Sequence, residues 1–215
     1  YGFKDEKLKY DIAAEYSFNE RKQYLKEFPR HSIRLSHSYD VYKLGEQYTN
    51  TSKDNMLLSI KRINDLRATY QRQTEIGYIR EHYNGISYGI NLRNRREYAT
   101  EYASFQQKKA SGIVTPIKHY NMSTMELKFR YGKNEKFYQS HNSRIPITYD
   151  AFIFNLSHVM AKKDFLGSAY DYHRTAIGFQ TRFWFSAFGY LDAIVKAGKV
   201  WNEVPYPLLI LPNAN

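Results

Sequence analysis

The chain of 215 residues contains no cysteine. This excludes disulfide bonds, thiolate nucleophiles and zinc sites with cysteine ligands. The sequence also has no apolar run of the roughly 18–20 residues that a membrane-spanning helix needs. Apolar residues at helical spacing occur over only a short stretch. A disulfide framework, cysteine-dependent catalysis and membrane-spanning helices are therefore excluded at the outset.

The usual signatures of catalytic and cofactor sites are missing as well. The seven histidines include no His-x-x-x-His or His-Glu-x-x-His pair, and no phosphate loop or dinucleotide fingerprint occurs. The segment Gly85-Ile-Ser-Tyr-Gly89 has the letters of a nucleophile elbow, but it follows a turn and lies in an alternating segment, so Ser87 is predicted on a strand. We expect no metal, no cofactor and no enzymatic activity.

Aromatic residues and positive charge are abundant. Tyrosine occurs 21 times, phenylalanine 13 times and tryptophan twice, and the formal net charge is +11. Aromatic residues favour strands and are depleted in disordered segments. With 42% hydrophobic residues, the composition predicts a folded chain rich in β structure.

Apolar and polar residues alternate with period two, which is the pattern of strands with two different faces. Five segments show it clearly: 8–18, 33–41, 86–93, 125–131 and 177–185. Weaker candidates lie at 56–61, 68–79, 152–160 and 190–200. The sequence thus predicts an all-β protein of about nine strands.

The connections suggest an antiparallel up-and-down sheet. Asn84-Gly85 is a tight-turn signal, and residues 186–189 allow only a short turn, whereas 43–55, 98–119 and 162–168 are longer polar loops. Residues 132–149 belong at the short-turn end but are too long for a turn. They contain either an unrecognised hairpin or a genuine excursion.

The composition of the two faces favours a membrane barrel over a soluble sandwich. The apolar faces begin or end in aromatic residues, as at the interfaces of an outer-membrane barrel, and the opposite faces mix charges with Gly, Ser and Asn, as a lumen does. We therefore predict an antiparallel up-and-down transmembrane β-barrel, incomplete in this chain. The alternative is a soluble envelope β-sandwich that binds glycans or surface partners.

If the chain forms a barrel, its functional residues are the charges that face the lumen and the long loops. The predicted lumen-facing charges are Lys9, Asp11, Glu15, Arg34, Asp40, Arg93, Glu126, Lys128, Arg130 and Arg182.

Several segments resemble one family. They are Phe129-Arg-Tyr-Gly-Lys-Asn-Glu-Lys-Phe-Tyr138, Arg144-Ile-Pro-Ile147, Arg182-Phe-Trp-Phe-Ser-Ala-Phe-Gly-Tyr190, Lys196-Ala-Gly-Lys-Val-Trp201 and Pro205-Tyr-Pro-Leu-Leu-Ile-Leu-Pro-Asn-Ala-Asn215. Over about residues 44–215 the chain is similar to the outer-membrane barrel proteins of Bacteroidetes described as carboxypeptidase-like regulatory domain-containing. A fainter similarity, from residues 196–201, links it to Omp85-type assembly barrels, although Lys196 replaces an acidic residue there.

The resemblance implies a longer protein with a signal peptide, an N-terminal β-sandwich module and a C-terminal barrel, of which residues 1–215 form one part. The closure strands are expected outside this chain. It also implies a location in the outer membrane of a Gram-negative bacterium, in a structural, assembly or transport role.

The basic residues raise the question of partners. Arg93-Asn-Arg-Arg96 and Lys108-Lys109 could contact nucleic acid, but basic residues are scattered along the whole chain instead of forming one stripe. We expect contacts with outer-membrane lipid and lipopolysaccharide, possible outer-membrane or periplasmic protein partners, and no nucleic acid. A third hypothesis is a hydrolase inside the barrel, with Ser36, His37 and Asp40, or His173 and Asp171, as the residues to inspect.

Overall fold

The computed structural model describes residues 7–20, 28–43, 68–101, 103–108, 114–139, 144–147, 151–204 and 209. Twelve strands occur in these residues: β1 Tyr10–Ser17, β2 His31–Lys43, β3 Ala68–Glu81, β4 Ile86–Tyr98, β5 Phe105–Lys108, β6 Val114–Ile117, β7 His119–Lys133, β8 Lys136–Gln139, β9 Arg144–Ile147, β10 Phe152–Ala161, β11 Tyr172–Trp184 and β12 Tyr190–Val200. The only helical elements within these ranges are single 3-10 turns at Phe165–Gly167 and Ser186–Phe188. The prediction of an all-β fold is confirmed.

Eight strands form one antiparallel sheet in the order β1-β2-β3-β4-β7-β10-β11-β12. Every pairing joins strands that follow one another in this up-and-down path. Within the described residues the sheet is open, because β1 and β12 are its two edges and do not pair with each other. No helix in the described ranges is long and apolar enough to cross a bilayer.

The sheet has a turn end and a loop end. At the turn end, residues 82–85 connect β3 to β4 and residues 185–189 connect β11 to β12. At the loop end, residues 99–118 separate β4 from β7 and residues 162–171 separate β10 from β11. The turns 82–85 and 185–189 and the loops 99–118 and 162–171 agree with the sequence prediction, whereas the connection 18–30 from β1 to β2, also at the turn end, is not short.

Eight of the nine predicted strands correspond to strands of the large sheet. The ninth, at 56–61, lies outside the described residues. The four short strands were not predicted: β5 and β6 pair within the long polar loop, and β8 and β9 pair within residues 132–149. A hairpin thus accounts for the length of that segment at the turn end.

The shortest connection between strands of the large sheet is the turn before β4. The backbone N–H of Ile86 donates to Oδ1 of Asn84 at 3.1 Å, and Gly85 has a φ of 83°. A Cβ at position 85 would collide with the carbonyl oxygen of Gly132 on β7. Glycine is therefore required here both for its conformation and for the close approach of two backbones.

We expect Gly85→Ala to destabilise the protein more than Gly189→Ala does. Gly189 also has a positive φ, of 95°, but a Cβ there meets nothing within 4 Å. With a ψ of −140°, Gly189 lies close to a backbone region that essentially only glycine adopts. Such a conformation costs another residue about 1–3 kcal/mol, so this is the loss expected at position 189. Urea unfolding of the two variants under identical conditions measures the difference, and equal losses would show that the backbone at Gly132 shifts without an energetic cost.

A core cluster of apolar side chains lies at the loop end. Tyr120, Met122, Val159, Ala161 and Tyr172 are buried together, and residues of the β5–β6 hairpin and of the following loops pack against them. All five share a face with the charged residues of the sheet, as the pairing of β7, β10 and β11 requires. Burial in this cluster also raises the pKa of Tyr170, which lies in the loop before β11.

Candidate functional site

The large sheet has two chemically different faces. The apolar face carries Ile12, Leu35, Ile76, Ile90 and Leu127, all of them exposed. Residues of the opposite parity form the charged face, on which Glu97 and Glu126 are only 3% and 7% exposed. The apolar face is therefore exposed while parts of the charged face are covered, whereas a water-soluble sheet buries its apolar face.

Nine of the ten predicted lumen-facing charges lie on the charged face. The pairing registers place them there, because a strand alternates its side chains and paired residues share a face. These residues are Asp11, Glu15, Arg34, Asp40, Arg93, Glu126, Lys128, Arg130 and Arg182. Lys9 lies just before β1, two residues from Asp11.

Four of the side chains on this face form an ion network across three strands. Arg93 on β4 contacts Glu75 on β3 at 2.9 Å and Glu126 on β7 at 3.7 Å. Lys128 contacts the same Glu126 at 3.2 Å. Two cations and two carboxylates thus balance one another at the centre of the sheet, where removal of either sign would leave an uncompensated charge.

A second polar group links this face to the core cluster. The hydroxyl of Tyr120 donates to Oε2 of buried Glu97 at 2.6 Å, and Arg95 lies 3.1 Å from Oε1 of the same carboxylate. The buried carboxylate therefore receives both a hydrogen bond and an ion pair, which is what a charge in a covered position requires.

A third group fastens the β8–β9 hairpin at the turn end. Arg144 donates to both carboxylate oxygens of Glu81 at 2.7 Å, and its guanidinium lies 4.4 Å from the ring centre of Phe137. The backbone N–H of Arg30 donates to Glu81 at 2.8 Å, and the Arg30 side chain pairs with Glu15 at 2.9 Å. The hairpin and the β1–β2 connection are thereby held to the same strand end.

Arg30, Glu81 and Arg144 were absent from the sequence prediction. Arg144 did stand in one of the motifs that carry the family resemblance, but its partner is 63 residues away along the chain. Only the pairing of the strands brings the two together.

Arg182 and Asp192 form a further bidentate pair between β11 and β12.

Polar residues interrupt the apolar face towards the loop end. His37 bonds Thr74 at 2.8 Å, and the Asn94 amide donates to Ser123 at 2.7 Å. Farther along the sheet, His158 bonds Thr175 at 2.9 Å. These cross-strand pairs mark the boundary at which the apolar band gives way to hydrogen-bonding groups.

The three residues of the hydrolase hypothesis on β2 do not share one face of the sheet. Ser36 and His37 are neighbours on β2 and therefore occupy opposite faces, and Asp40 shares the face of Ser36. Asp171 accepts a hydrogen bond from the backbone N–H of Lys163 at 2.9 Å. In the described ranges, no cluster of three or more His, Asp or Glu residues could hold a metal ion.

Comparison with known proteins gives one family match. A family model described as the C-terminal domain of a family of unknown function, DUF5686, matches residues 1–205. Searches of curated proteins and of solved structures gave no match. Because the match spans nearly the whole chain, this chain belongs to the DUF5686 C-terminal domain family.

Proposed function

We propose that the chain is part of an outer-membrane β-barrel with a structural, assembly or transport-associated role in the cell envelope. The observation that carries this proposal is the exposure of the apolar face. Ile12 is 67% exposed and Leu35 is 51% exposed, while Glu97 and Glu126 on the other face are covered. A sheet of this kind suits lipid on one side and a polar lumen on the other.

The flanks of the apolar face support the same arrangement. At the turn end it carries Phe18, Tyr88 and Tyr131, and at the loop end it carries Tyr39 and Tyr98. Tyrosine has an apolar ring and a polar tip, so it is favoured where hydrocarbon meets headgroups. Seven of the eight strands of the large sheet have 10 residues or more, and β1 has eight. A tilted transmembrane strand needs about 9–11 residues, so these seven are long enough to cross.

The core cluster favours a structural or assembly role over that of an open diffusion pore. Met122 is fully buried, and Tyr120 and Tyr172 lie beside it on the face that would line the lumen. Apolar packing at the loop end would therefore obstruct a water-filled path through this part of the barrel. The central ion network lies closer to the middle of the strands, where it would hold neighbouring strands in register.

The remaining features of the proposal follow from this location. The barrel would lie in the outer membrane of a Gram-negative bacterium, with closing strands contributed by other parts of a longer protein. Its partners would be membrane lipid, lipopolysaccharide and envelope proteins. The similarity to carboxypeptidase-like regulatory domain-containing barrels, and the fainter one to Omp85-type barrels, support this assignment and say nothing of a peptidase.

Two cysteine variants test the orientation of the faces, since residues 1–215 contain no natural cysteine and any cysteine elsewhere in the full-length protein is replaced by serine. Leu35→Cys and Ser36→Cys place the thiol on adjacent residues of β2 that face opposite ways. We expect a fluorophore at position 35 of the full-length protein in vesicles to be quenched by brominated lipid. The same fluorophore at position 36 should be quenched far less.

The soluble-sandwich alternative gives a different result. The protein would then stay in the aqueous phase without detergent, and brominated lipid would quench neither position. Equal quenching at both positions in membrane-bound protein would also contradict the proposed orientation, because it would place both faces against lipid.

A further inference from the structure

A groove of about 860 Å³ lies at the loop end of β1–β4. Its floor includes Tyr10, Tyr39, Arg72 and Tyr98, which all have the parity of the apolar face. The β5–β6 hairpin supplies the opposite wall through Phe105 and its neighbours. Phe105 also packs against the core cluster of the charged face. The groove therefore lies over the loop end of the strands, just beyond the apolar band.

The lining of the groove is cationic. Lys7, Arg72 and Lys118 line it, and no carboxylate is among the described residues that do so. In the part of the chain that the structure describes, none of these three side chains has a carboxylate partner. This contrasts with the charged face, where Arg93 and Arg95 are paired, and it leaves the groove with uncompensated positive charge.

Aromatic rings surround these cations. Tyr39 stacks on Tyr70 with 6.0 Å between ring centres and meets Tyr98 edge-on at 6.5 Å. Nζ of Lys7 lies 3.6 Å from the ring centre of Tyr70, and Arg72 donates to the Tyr98 hydroxyl at 3.2 Å. Ring faces offer apolar contact to the C–H groups of a sugar, and phenolic hydroxyls offer hydrogen bonds to its oxygens.

We propose that this groove binds the phosphorylated sugar headgroup of a membrane glycolipid in the outer leaflet. The cations would contact the phosphates, and the tyrosines would contact the sugar rings. The acyl chains would then lie along the apolar face below the groove. This inference rests on the proposed function, because only a membrane-embedded sheet presents the groove at headgroup depth.

The test measures binding of lipid A to the full-length protein in detergent by native mass spectrometry. Arg72→Gln combined with Lys118→Gln removes two of the three cations. A basic residue near an anionic membrane surface contributes about fivefold to binding, so the double variant should bind lipid A about 25-fold more weakly. Lipid A stripped of its phosphates should bind weakly to the natural protein and the variant alike.

Lys133→Gln combined with Lys136→Gln is the matched control. It removes the same charge from exposed positions at the turn end, so it should leave lipid A binding unchanged. Urea unfolding of both double variants checks that neither has lost its fold. Equal weakening by the two pairs would overturn the proposal, since the effect would then come from net charge alone.

A further arm separates this inference from the proposed function. Free glucosamine 6-phosphate should bind much more weakly than lipid A, because it lacks acyl chains. Suppose that the fluorophore at position 35 is quenched by brominated lipid but the double variant Arg72→Gln and Lys118→Gln binds lipid A normally. The groove assignment is then wrong, and the proposed barrel is not contradicted. If the protein partitions into water and binds the free sugar phosphate as tightly as lipid A, both proposals fail.

Discussion

Ala14→Arg should lower the free energy of unfolding of the protein in lipid vesicles by about 2–4 kcal/mol. This is the loss expected for a cation near the bilayer midplane. Ala14 lies on β1 between Ile12 and Tyr16 of the apolar face and pairs with Leu35. A guanidinium there would have to leave water for hydrocarbon. Urea unfolding of Ala14→Arg in vesicles, compared with the natural protein, measures the loss.

Ala13→Arg is the matched control for this prediction. It changes the same residue type on the same exposed strand, but position 13 belongs to the charged face, between Asp11 and Glu15. We expect a change within about 0.5 kcal/mol, as for ordinary surface substitutions. If Ala14→Arg were as mild as Ala13→Arg, the apolar face would be in water, and the membrane orientation would be wrong.

Arg93→Met should lower the free energy of unfolding by about 2 kcal/mol. Breaking a fully buried ion pair costs about 3–5 kcal/mol, and the loss here is smaller because these side chains keep some contact with solvent. Arg93 lies between Glu75 and Glu126 and is 27% exposed. Without it, Glu126 still has Lys128, whereas Glu75 keeps the amide of Gln73 as a hydrogen-bond donor. The penalty therefore arises mainly from an uncompensated Glu75.

This account makes the double variant informative. Glu75→Met in the Arg93→Met background removes the carboxylate that has lost its cation. It should recover part of the lost stability, because two apolar side chains of similar length then pair across β3 and β4. Urea unfolding of the single and double variants completes a mutant cycle. A further loss in the double variant, of the size that Glu75→Met causes by itself, would show that the two residues are not coupled.

The strands and their two faces could be predicted from the sequence because alternation is a local signal. In β7, Leu127 and Phe129 alternate with Glu126 and Lys128, and this is enough to divide the strand into an apolar and a charged side. The pairing then needs only antiparallel neighbours. For this reason the predicted charges fall on one face of the sheet.

The short hairpins and the groove could not be predicted in the same way. Strands β5 and β8 are four residues long, too short to establish a period. The contact of Arg144 with Glu81 depends on how a hairpin folds back onto a strand far along the chain. The groove likewise combines Tyr39, Tyr98 and Lys118, which lie on separate elements and share no motif.

In the large sheet, each strand pairs with the previous strand of the same sheet. This path also determines how much chain entropy the fold must overcome. Closing a loop costs only about 0.6 kcal/mol more for each doubling of its length. The connection 162–171 between β10 and β11 is longer than 82–85 between β3 and β4, and it adds no more than about 1 kcal/mol to the cost of closure. Segments at the loop end can therefore lengthen or change in sequence at little thermodynamic cost while the strand pairing beneath them is kept.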